Sequence, residues 1–311
     1  MKTAVIGAGN MGKHHVRIYS EISHLVAIAD PFETQAKALA TEYKTNYYKN
    51  YIEMLDSEDI DAVSVVVPTG LHKEVAIQCL RRKIPTFIEK PIASNLSDAT
   101  AILREAKKQN TFVFIGHVER FNPAVVKLKK MIDQGTFGDI ISLLAIRVGI
   151  NPPKTPSDVT FELAIHDIDI FNYFLSELPI KKTISKRKIF KNNIADSASL
   201  LLEYKSAIGM IQTNWITPIK MRRLYVTGTV GFAELDYINQ KLIVYEKVID
   251  KQSTKNFLEL LSLSDSPNKQ VFISKKEPLR EELRFFLKNR LSTDLTSARY
   301  AYEALKIALS K

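Results

Sequence analysis

Three groups of residues in this chain have types and spacings suited to chemistry. The first is the glycine-rich turn Gly7-Ala8-Gly9-Asn10-Met11-Gly12, which follows an apolar run and precedes a helical pattern. Gly7 permits a tight turn, Gly9 lets a pyrophosphate approach the backbone, and Gly12 lets the helix pack closely on the strand. The first N–H groups of that helix would face the phosphates. The turn therefore predicts a dinucleotide-binding site that includes Asn10 and Met11.

An acidic residue, Asp30, ends the second apolar run. A carboxylate at this point can accept hydrogen bonds from both ribose hydroxyls, and it repels the 2′-phosphate of NADP. Pro31 and Phe32 follow, so no adjacent arginine can hold that phosphate. The pattern predicts NAD in preference to NADP. Asp30 can also cap the next helix, which is compatible with ribose binding.

The second group is Glu89-Lys90-Pro91, which ends another apolar run. The carboxyl ends of parallel strands are where α/β sheets bind ligands. Lys90 can donate to a substrate hydroxyl, stabilise an alkoxide, or act as a base if its pKa falls. Pro91 stiffens the turn that carries it. The alternative is an ordinary surface lysine before a turn.

The third group is Glu162, His166 and Asp169, whose spacing places them on one face of a helix. A carboxylate one turn from an imidazole can fix its tautomer and raise its basicity. His166 is therefore a candidate general base and Glu162 its orienting partner. The alternative is a histidine at the edge of the core. The other histidines show no metal-binding spacing, so we expect no metal site.

These groups need particular elements to position them. The first 115 residues or so alternate apolar strands with helices, which predicts a doubly wound parallel α/β sheet. Later runs alternate with period two, which predicts a mostly antiparallel α+β domain closed by two C-terminal helices. We expect residues 1–118 to form a Rossmann domain and residues 119–311 to form the substrate-binding and oligomerisation domain.

Taken together, three segments resemble the glucose–fructose oxidoreductase / inositol dehydrogenase / rhizopine-catabolism (Gfo/Idh/MocA) family. They are the turn at residues 7–12, Val67-Pro68-Thr69-Gly70-Leu71-His72, and Glu89-Lys90-Pro91. The resemblance implies that Lys90 is catalytic and lies beside the nicotinamide and the substrate. It also implies that Pro68, Thr69, His72 and Glu89 line the cofactor site. From its position, His72 is equally well interpreted as a helix cap.

The family pattern Asp-x-Gly-x-His-x-x-Asp falls on Glu162, Ala164, His166 and Asp169. This chain departs from the pattern twice, with Glu for Asp and Ala for Gly. The longer Glu162 can shift the orienting hydrogen bond. The resemblance thus supports His166 more strongly than Glu162.

Other segments resemble the branch of the family that oxidises the 3-hydroxyl of UDP-N-acetylglucosamine-type sugars. The match is closest at Arg147-Val148-Gly149, at residues 163–170 and from Asn214 to Gly228. Cationic side chains suit a diphosphate. The candidate substrate-binding residues are Lys90, Arg120, Arg147, His166, Asp169, Lys220 and Arg222. Each of the four further cationic residues can equally be a solvated charge.

Composition limits the kind of protein. The chain has 311 residues, a net charge of +10 and one cysteine, Cys79. A disulfide within the chain is thus impossible, and we expect a reducing, cytoplasmic location and no membrane segment. The densest basic cluster, residues 181–191, contains one aromatic residue and predicts a solvated edge strand rather than a nucleic-acid site.

The sequence therefore predicts an NAD-dependent dehydrogenase that converts a sugar hydroxyl to a keto group. His166 takes the hydroxyl proton and Lys90 donates to the same oxygen, or the two exchange roles. The favoured substrate is a UDP-N-acetylglucosamine-type nucleotide sugar. The alternatives are a free sugar or inositol, or a dinucleotide-binding sensor without turnover. The family resemblance implies a homodimer or homotetramer.

Overall fold

The computed structural model describes residues 1–150, 157–190, 193–246 and 267–310. Contacts between Cα atoms divide the chain into two compact units. The first comprises Met1–Phe121 with Glu277–Leu309, and the second comprises Asn122–Lys276 with the chain end. The first unit contains the segment predicted to form a parallel sheet, and the second contains the segment predicted to form a mostly antiparallel sheet.

The first unit is built on a six-stranded parallel sheet with strand order β3-β2-β1-β4-β5-β6. The strands are β1 (Lys2–Ile6), β2 (His24–Ala29), β3 (Asn46–Tyr48), β4 (Ala62–Val65), β5 (Thr86–Glu89) and β6 (Val113–Gly116). The residues of β4, β5 and β6 are all buried, and those of β1 and β2 are buried after the first residue, because helices cover both faces of a doubly wound sheet. The edge strand β3 is partly exposed. The predicted doubly wound parallel fold is confirmed.

Helices connect these strands. They are α1 (Gly12–Ile22), α2 (Glu33–Glu42), α3 (Tyr51–Ser57), α4 (His72–Arg81) and α5 (Leu96–Gln109). Asn50 caps α3 and Asn95 caps α5, each through its side-chain oxygen. A short 3-10 helix, Val118–Phe121, follows the last strand. The carboxyl ends of β1, β4 and β5 therefore open directly into the glycine-rich turn, the Pro68-Thr69 loop and Lys90.

Two C-terminal helices, α8 (Pro278–Asn289) and α9 (Thr296–Ala308), belong to the first unit. The apolar face of α8 is buried against the parallel domain, where Phe286 packs on Phe87 and Phe112 at centroid distances of 5.6 and 6.1 Å. The predicted domain division placed these helices in the second domain and differs from this grouping. An apolar helix face shows that a helix is buried but does not show which core receives it.

The second unit is built on an eight-stranded sheet with order β14-β13-β12-β11-β7-β10-β9-β8. The strands are β7 (Ile140–Val148), β8 (Lys181–Arg187), β9 (Ser197–Glu203), β10 (Ile208–Asn214), β11 (Met221–Gly228), β12 (Gly231–Asp236), β13 (Lys241–Glu246) and β14 (Asn268–Val271). Among the described strands of this sheet, only β7 and β10 pair in parallel. The predicted mostly antiparallel domain is confirmed, and the basic cluster at 181–187 does form an edge strand.

Two helices of the second unit accompany this sheet, α6 (Pro123–Asp133) and α7 (Ile165–Leu175). A π-helical turn, Thr160–Ala164, leads directly into α7. On one sheet face, Gly209 leaves room for the ring of Phe171 from α7, since a Cβ at Gly209 would lie 2.6 Å from that ring. Helix α7 therefore packs closely on the sheet. Among the described helices, none is both long and apolar enough to cross a bilayer.

Candidate active site

The glycine-rich turn has the geometry that a dinucleotide needs. Gly7 has a φ of +103°, and a Cβ there would lie 2.3 Å from the carbonyl oxygen of Val66. A Cβ at Gly12 would lie 2.0 Å from the carbonyl oxygen of Gly7, whereas a Cβ at Gly9 would have open space around it. Gly7 and Gly12 are thus required by the fold. Gly9 instead keeps the surface of the turn open, which fits a pyrophosphate.

The start of α1 also fits an anion. No side chain in the described part of the chain caps its first turn. The N–H groups of a helix start carry a partial positive charge and bind anions readily. Asn10 and Met11 are both exposed beside this helix start. The predicted residues of the turn therefore surround one open, electropositive surface.

Asp30 follows β2 and is held by the backbone. Its Oδ2 accepts from the N–H of Ala8 at 2.6 Å, and its Oδ1 accepts from the N–H of Phe32 at 2.8 Å. These bonds fix the carboxylate beside the turn but use only part of its accepting capacity. The half-buried side chain can still accept from ribose hydroxyls, as predicted. The alternative prediction that Asp30 caps α2 is wrong, because Phe32 is the N-cap residue and the helix start has no side-chain cap bond among the described residues.

Lys90 lies at the carboxyl end of β5, where its backbone is held from both sides. Its own N–H donates to Oε2 of Glu89 at 3.1 Å. The carbonyl oxygen of Pro91, the next residue, lies 2.9 Å from Nδ1 of His72. The Lys90-Pro91 peptide bond is cis. Two buried side chains therefore define the position of the residue from which the lysine side chain extends.

His72 ties two loops together. Its Nε2 lies 2.9 Å from the carbonyl oxygen of Val67, while its Nδ1 faces Pro91 on the other loop. The side chain is buried, and burial lowers the pKa of the imidazole while the two carbonyls act in the opposite direction. A direct contact between the ring nitrogens and a cofactor, as predicted, is at odds with this geometry. The observed contacts of His72 link the two loops, and its cofactor role stays a prediction.

Glu89 is likewise turned inward. Its Oε1 lies 3.0 Å from Nε2 of His15, a buried residue of α1. Both carboxylate oxygens are bonded inside the protein and the residue is buried, unlike the half-buried Asp30, so its predicted cofactor contact stays a prediction. Pro68 is exposed and Thr69 is half-buried at the start of a 3-10 turn after β4. Those two remain candidates for cofactor contact.

The candidate base and its partner lie on the second unit, where the helix begins irregularly. Glu162 lies within the π-helical turn and His166 in the first turn of α7, and both are half-buried. The sequence predicted a regular helix over these residues. A π-turn inserts one extra residue per turn and is frequent at functional sites. His166 and Glu162 remain predictions, because neither role is tested by this geometry.

Arg147 was predicted to bind substrate, but its side chain is buried in an ion pair. Its Nε donates to Oδ2 of Asp167 at 2.7 Å and its Nη2 donates to Oδ1 at 3.1 Å. The two side chains are 4% and 1% exposed. The guanidinium also lies 4.9 Å from the ring centroid of Tyr237. Arg147 therefore joins β7 to α7 inside the protein, and Asp169 on α7 is also buried.

The remaining cationic candidates lie in different surroundings. The guanidinium of Arg120 lies 5.3 Å from the ring centroid of Tyr300 on α9. Lys220 is exposed, and Arg222 is half-buried on β11 opposite Arg147. Asn214 uses its Oδ1 to accept from the N–H groups of Ile216 and Thr217, which fixes the turn before β11. Lys220 therefore lies between this fixed turn and β11, Arg222 lies on β11 itself, and both stay predictions.

Sequence reasoning missed His15, Ser64 and Asp167. His15 lies next to an exposed histidine in a helix, and nothing in the sequence relates it to Glu89. Asp167 is one of four acidic or imidazole groups in a short run, and its partner is on a distant strand. Within the described ranges, no group of three or more histidine, cysteine, aspartate or glutamate residues is arranged to hold a metal ion.

Comparison with known proteins agrees with this geometry. Residues 1–117 match the family model described as "Oxidoreductase family, NAD-binding Rossmann fold". Residues 125–234 match the model of the GFO/IDH/MocA C-terminal domain. The first model covers the turn, Asp30 and Lys90, and the second covers Glu162 and His166. The cofactor of the first unit is therefore NAD.

Two curated relatives match over most of the chain. The UDP-N-acetylglucosamine 3-dehydrogenase of Acidithiobacillus ferrooxidans is 26% identical over 252 residues, covering 79% of this chain and 77% of the relative. The myo-inositol 2-dehydrogenase of Thermotoga maritima is 27% identical over 305 residues, covering 93% and 88%.

A solved structure of the Acidithiobacillus ferrooxidans UDP-N-acetylglucosamine 3-dehydrogenase shares the fold. It superposes with a TM-score of 0.86 at 24% identity and covers 99% of this chain and 95% of its own. The similarity thus extends over both units.

Proposed function

This chain belongs to the Gfo/Idh/MocA family of NAD-binding sugar and polyol dehydrogenases, and we propose that it oxidises the 3-hydroxyl of a UDP-N-acetylglucosamine-type nucleotide sugar. The product is the corresponding 3-keto sugar. NAD, when bound, accepts the hydride that leaves the carbinol carbon. The residues of this chain bind and orient the reactants and move the hydroxyl proton.

The observation that carries the proposal is the fixed position of Lys90. A lysine at the carboxyl end of β5, held through Glu89 and Pro91 on either side, has less freedom to lose when it binds a ligand. Its Nζ can donate a hydrogen bond to the reacting oxygen and stabilise the negative charge that develops there. An ordinary surface lysine needs no such tethers.

His166 is the proposed general base. An imidazole titrates near neutral pH, so it can take the hydroxyl proton under physiological conditions. Glu162, one turn away, is the proposed group that orients the ring. The half-buried position of both residues leaves them within reach of a ligand. Changing either Lys90 or His166 should slow turnover and leave NADH binding in place.

Asp30 is the proposed determinant of NAD over NADP. Its carboxylate is fixed beside the glycine-rich turn by the N–H groups of Ala8 and Phe32, so it cannot swing away from an approaching 2′-phosphate. Asp30→Ala should weaken NADH binding and narrow the difference between NADH and NADPH. Fluorescence titration of both cofactors measures this. Equal affinity of the wild-type protein for the two would refute the assignment.

The substrate proposal is supported by the similarity to the UDP-N-acetylglucosamine 3-dehydrogenase. It is also supported by two cationic side chains suited to a diphosphate, Lys220 just before β11 and Arg222 on β11. The test is NADH formation with a panel of UDP-sugars and the matching free sugars. We expect kcat/KM to be highest for UDP-N-acetylglucosamine. It should fall at least about tenfold when the UDP group is removed, because the cationic side chains of the protein then lose their diphosphate partner. Equal rates with free sugars would overturn it.

A free polyol is the second candidate, because the myo-inositol 2-dehydrogenase match covers the larger part of the chain. This reading predicts NADH formation with myo-inositol and no gain from a nucleotide group. The same panel therefore distinguishes the two candidates. Product analysis then locates the keto group on the ring.

We also propose that a second copy of this chain covers one face of the second sheet. A row of apolar side chains crosses four adjacent strands there, with Leu201, Met210, Leu144 and Tyr225 side by side in register. Leu201 is 37% and Met210 is 40% exposed. Exposed apolar patches of this kind mark interfaces. Light scattering should show a dimer or tetramer, and Met210→Lys should shift it towards monomer.

A further inference from the structure

A line of buried polar side chains runs through the first unit and ends at Lys90. The hydroxyl of Tyr19 lies 2.7 Å from Oγ of Ser64, which lies 3.1 Å from Nδ1 of His15. Nε2 of His15 lies 3.0 Å from Oε1 of Glu89. Tyr19, Ser64 and His15 are fully buried. The family-level function described above makes no use of Tyr19, Ser64 or His15.

One donor and acceptor arrangement satisfies every group in this line. A carboxylate only accepts, so Nε2–H of His15 donates to Glu89. Nδ1 of a neutral imidazole is then an acceptor, which the hydroxyl of Ser64 satisfies as a donor. The hydroxyl of Tyr19 in turn donates to Ser64. Every buried polar atom in this line thus has a partner, as buried polar groups require.

The last step reaches the backbone of Lys90. Oε2 of Glu89, the oxygen that His15 leaves available, accepts the N–H of Lys90 at 3.1 Å. Packing confines the carboxylate further, because a Cβ on Gly116 would lie 3.3 Å from Cδ of Glu89. Phe87 contacts the His15 ring edge to face at a centroid distance of 5.1 Å. The His15 ring and the N–H of Lys90 therefore hold the two oxygens of the Glu89 carboxylate.

We propose that His15 is a positioning residue for Lys90, acting through the carboxylate of Glu89. This inference rests on the proposed catalytic role of Lys90 only for its effect on turnover. If the His15 bond is lost, Glu89 rotates, the N–H of Lys90 loses its acceptor, and the lysine backbone becomes mobile. A small misplacement of a catalytic group slows the chemical step by up to about 100-fold.

The first experiment measures the Lys90 amide in the protein without cofactor or substrate. In ¹⁵N-lysine-labelled protein, the Lys90 signal is identified by its absence from Lys90→Arg. In His15→Leu we expect its hydrogen exchange to quicken at least about tenfold, since local opening controls exchange. His15→Gln keeps a side-chain N–H for Glu89 and should restore most of the protection. An unchanged Lys90 amide in His15→Leu overturns the proposal.

Two controls separate positioning from general loosening. Ile18→Val alters the same buried helix without touching the polar line, and His24→Leu removes an exposed histidine. Neither should change the Lys90 amide. An equal rise at the lysine amides outside this region in His15→Leu would mean a merely structural role and would overturn the proposal. If His15→Leu fails to fold, Ser64→Ala removes only the hydroxyl that contacts His15 and should make the Lys90 amide exchange faster than in the wild-type protein. An unchanged Lys90 amide in Ser64→Ala would then overturn the proposal.

The second experiment is a double-mutant cycle on turnover, with the best substrate of the sugar panel proposed above. His15→Leu should lower kcat more than it changes KM or NADH affinity. In the Lys90→Ala background it should have no further effect, because His15 acts through Lys90. An additive effect in that background overturns the inference. A Lys90→Ala enzyme of normal activity would refute the role of Lys90 and leave the amide result standing.

Discussion

The two candidate catalytic residues lie in similar local settings on the two units. Glu89 precedes Lys90 and Asp167 follows His166, so each candidate has a buried carboxylate as its neighbour in sequence. Each carboxylate is bonded to a buried nitrogen base from another element. Glu89 meets His15 of α1, and Asp167 meets Arg147 of β7. A buried pair therefore anchors the backbone beside each candidate.

The pairs differ in what they leave available. Arg147 uses two nitrogens on both oxygens of Asp167, which closes the pair and gives it a fixed geometry. His15 uses one nitrogen on one oxygen, so Glu89 keeps an oxygen for the N–H of Lys90. The comparison teaches that the Arg147 pair holds a helix on a sheet, whereas the His15 pair also leaves an acceptor for the backbone of the proposed catalytic lysine.

Removing the candidate side chains has the largest expected effect. Lys90→Ala and His166→Ala should each lower kcat by roughly 10²- to 10⁴-fold, the usual contribution of acid–base groups. NADH affinity should stay within about twofold, because the glycine-rich turn is intact. Steady-state kinetics with fluorescence titration measures both. Near wild-type turnover in both variants would contradict the mechanism.

Breaking the closed pair should affect stability more than chemistry. Arg147→Ala leaves a buried carboxylate without its cation and should cost about 3–5 kcal/mol of unfolding free energy. The double replacement Arg147→Met with Asp167→Leu should recover most of that loss, because apolar side chains can fill the same space. Urea unfolding of the wild-type protein and these two variants measures the difference. A single variant as stable as the double would contradict this account.

The lowered pKa of His72 predicts a smaller effect, in which the stability of the first unit depends on pH. Burial lowers that pKa below its ordinary value of 6.5, so the unfolded chain takes up the proton more readily than the folded protein. The stabilising contribution is present above pH 6.5 and is lost as the pH falls below it. His72→Gln should flatten this part of the curve. Thermal unfolding between pH 5 and pH 7.5 measures it, with Arg147→Ala as the comparison.

The smallest expected effect is on the reactivity of Cys79, which lies in α4, the helix that begins at His72. Cys79 is fully buried in α4, and burial raises the pKa of its thiol to about 12. In the native protein at pH 8 it should react with a thiol reagent very slowly, since only the thiolate reacts. His72→Gln should quicken the reaction by loosening α4. Equal rates in native and urea-unfolded protein would contradict the burial.

Much of the fold follows from local pattern. The strand Ile140–Val148 and the helix Pro123–Asp133 lie where alternation and helical periodicity are strong in the sequence. β3 and β14 are only three and four residues long, and strands this short carry little pattern. α8 was placed with the wrong core, since the residues it packs on, Phe87 and Phe112, are far away in sequence.

The candidate site was less predictable for a related reason. The type and position of Gly7, Asp30 and Lys90 indicate a function because each follows a recognisable strand. Arg147 looks like a substrate ligand in the sequence because its partner lies on another element. His15 and Glu89 are equally remote from one another. Side-chain pairs of this kind become visible only when the elements are packed.

The three glycines of the first turn are under different kinds of selection. Gly7 and Gly12 meet the protein's own backbone, so any chain with this fold must keep them small. Gly9 has open space, so its lack of a side chain serves the dinucleotide rather than the fold. A descendant that lost its cofactor would therefore retain the outer two glycines while the middle one drifted. A side chain at position 9 would therefore obstruct the nucleotide without disturbing the fold.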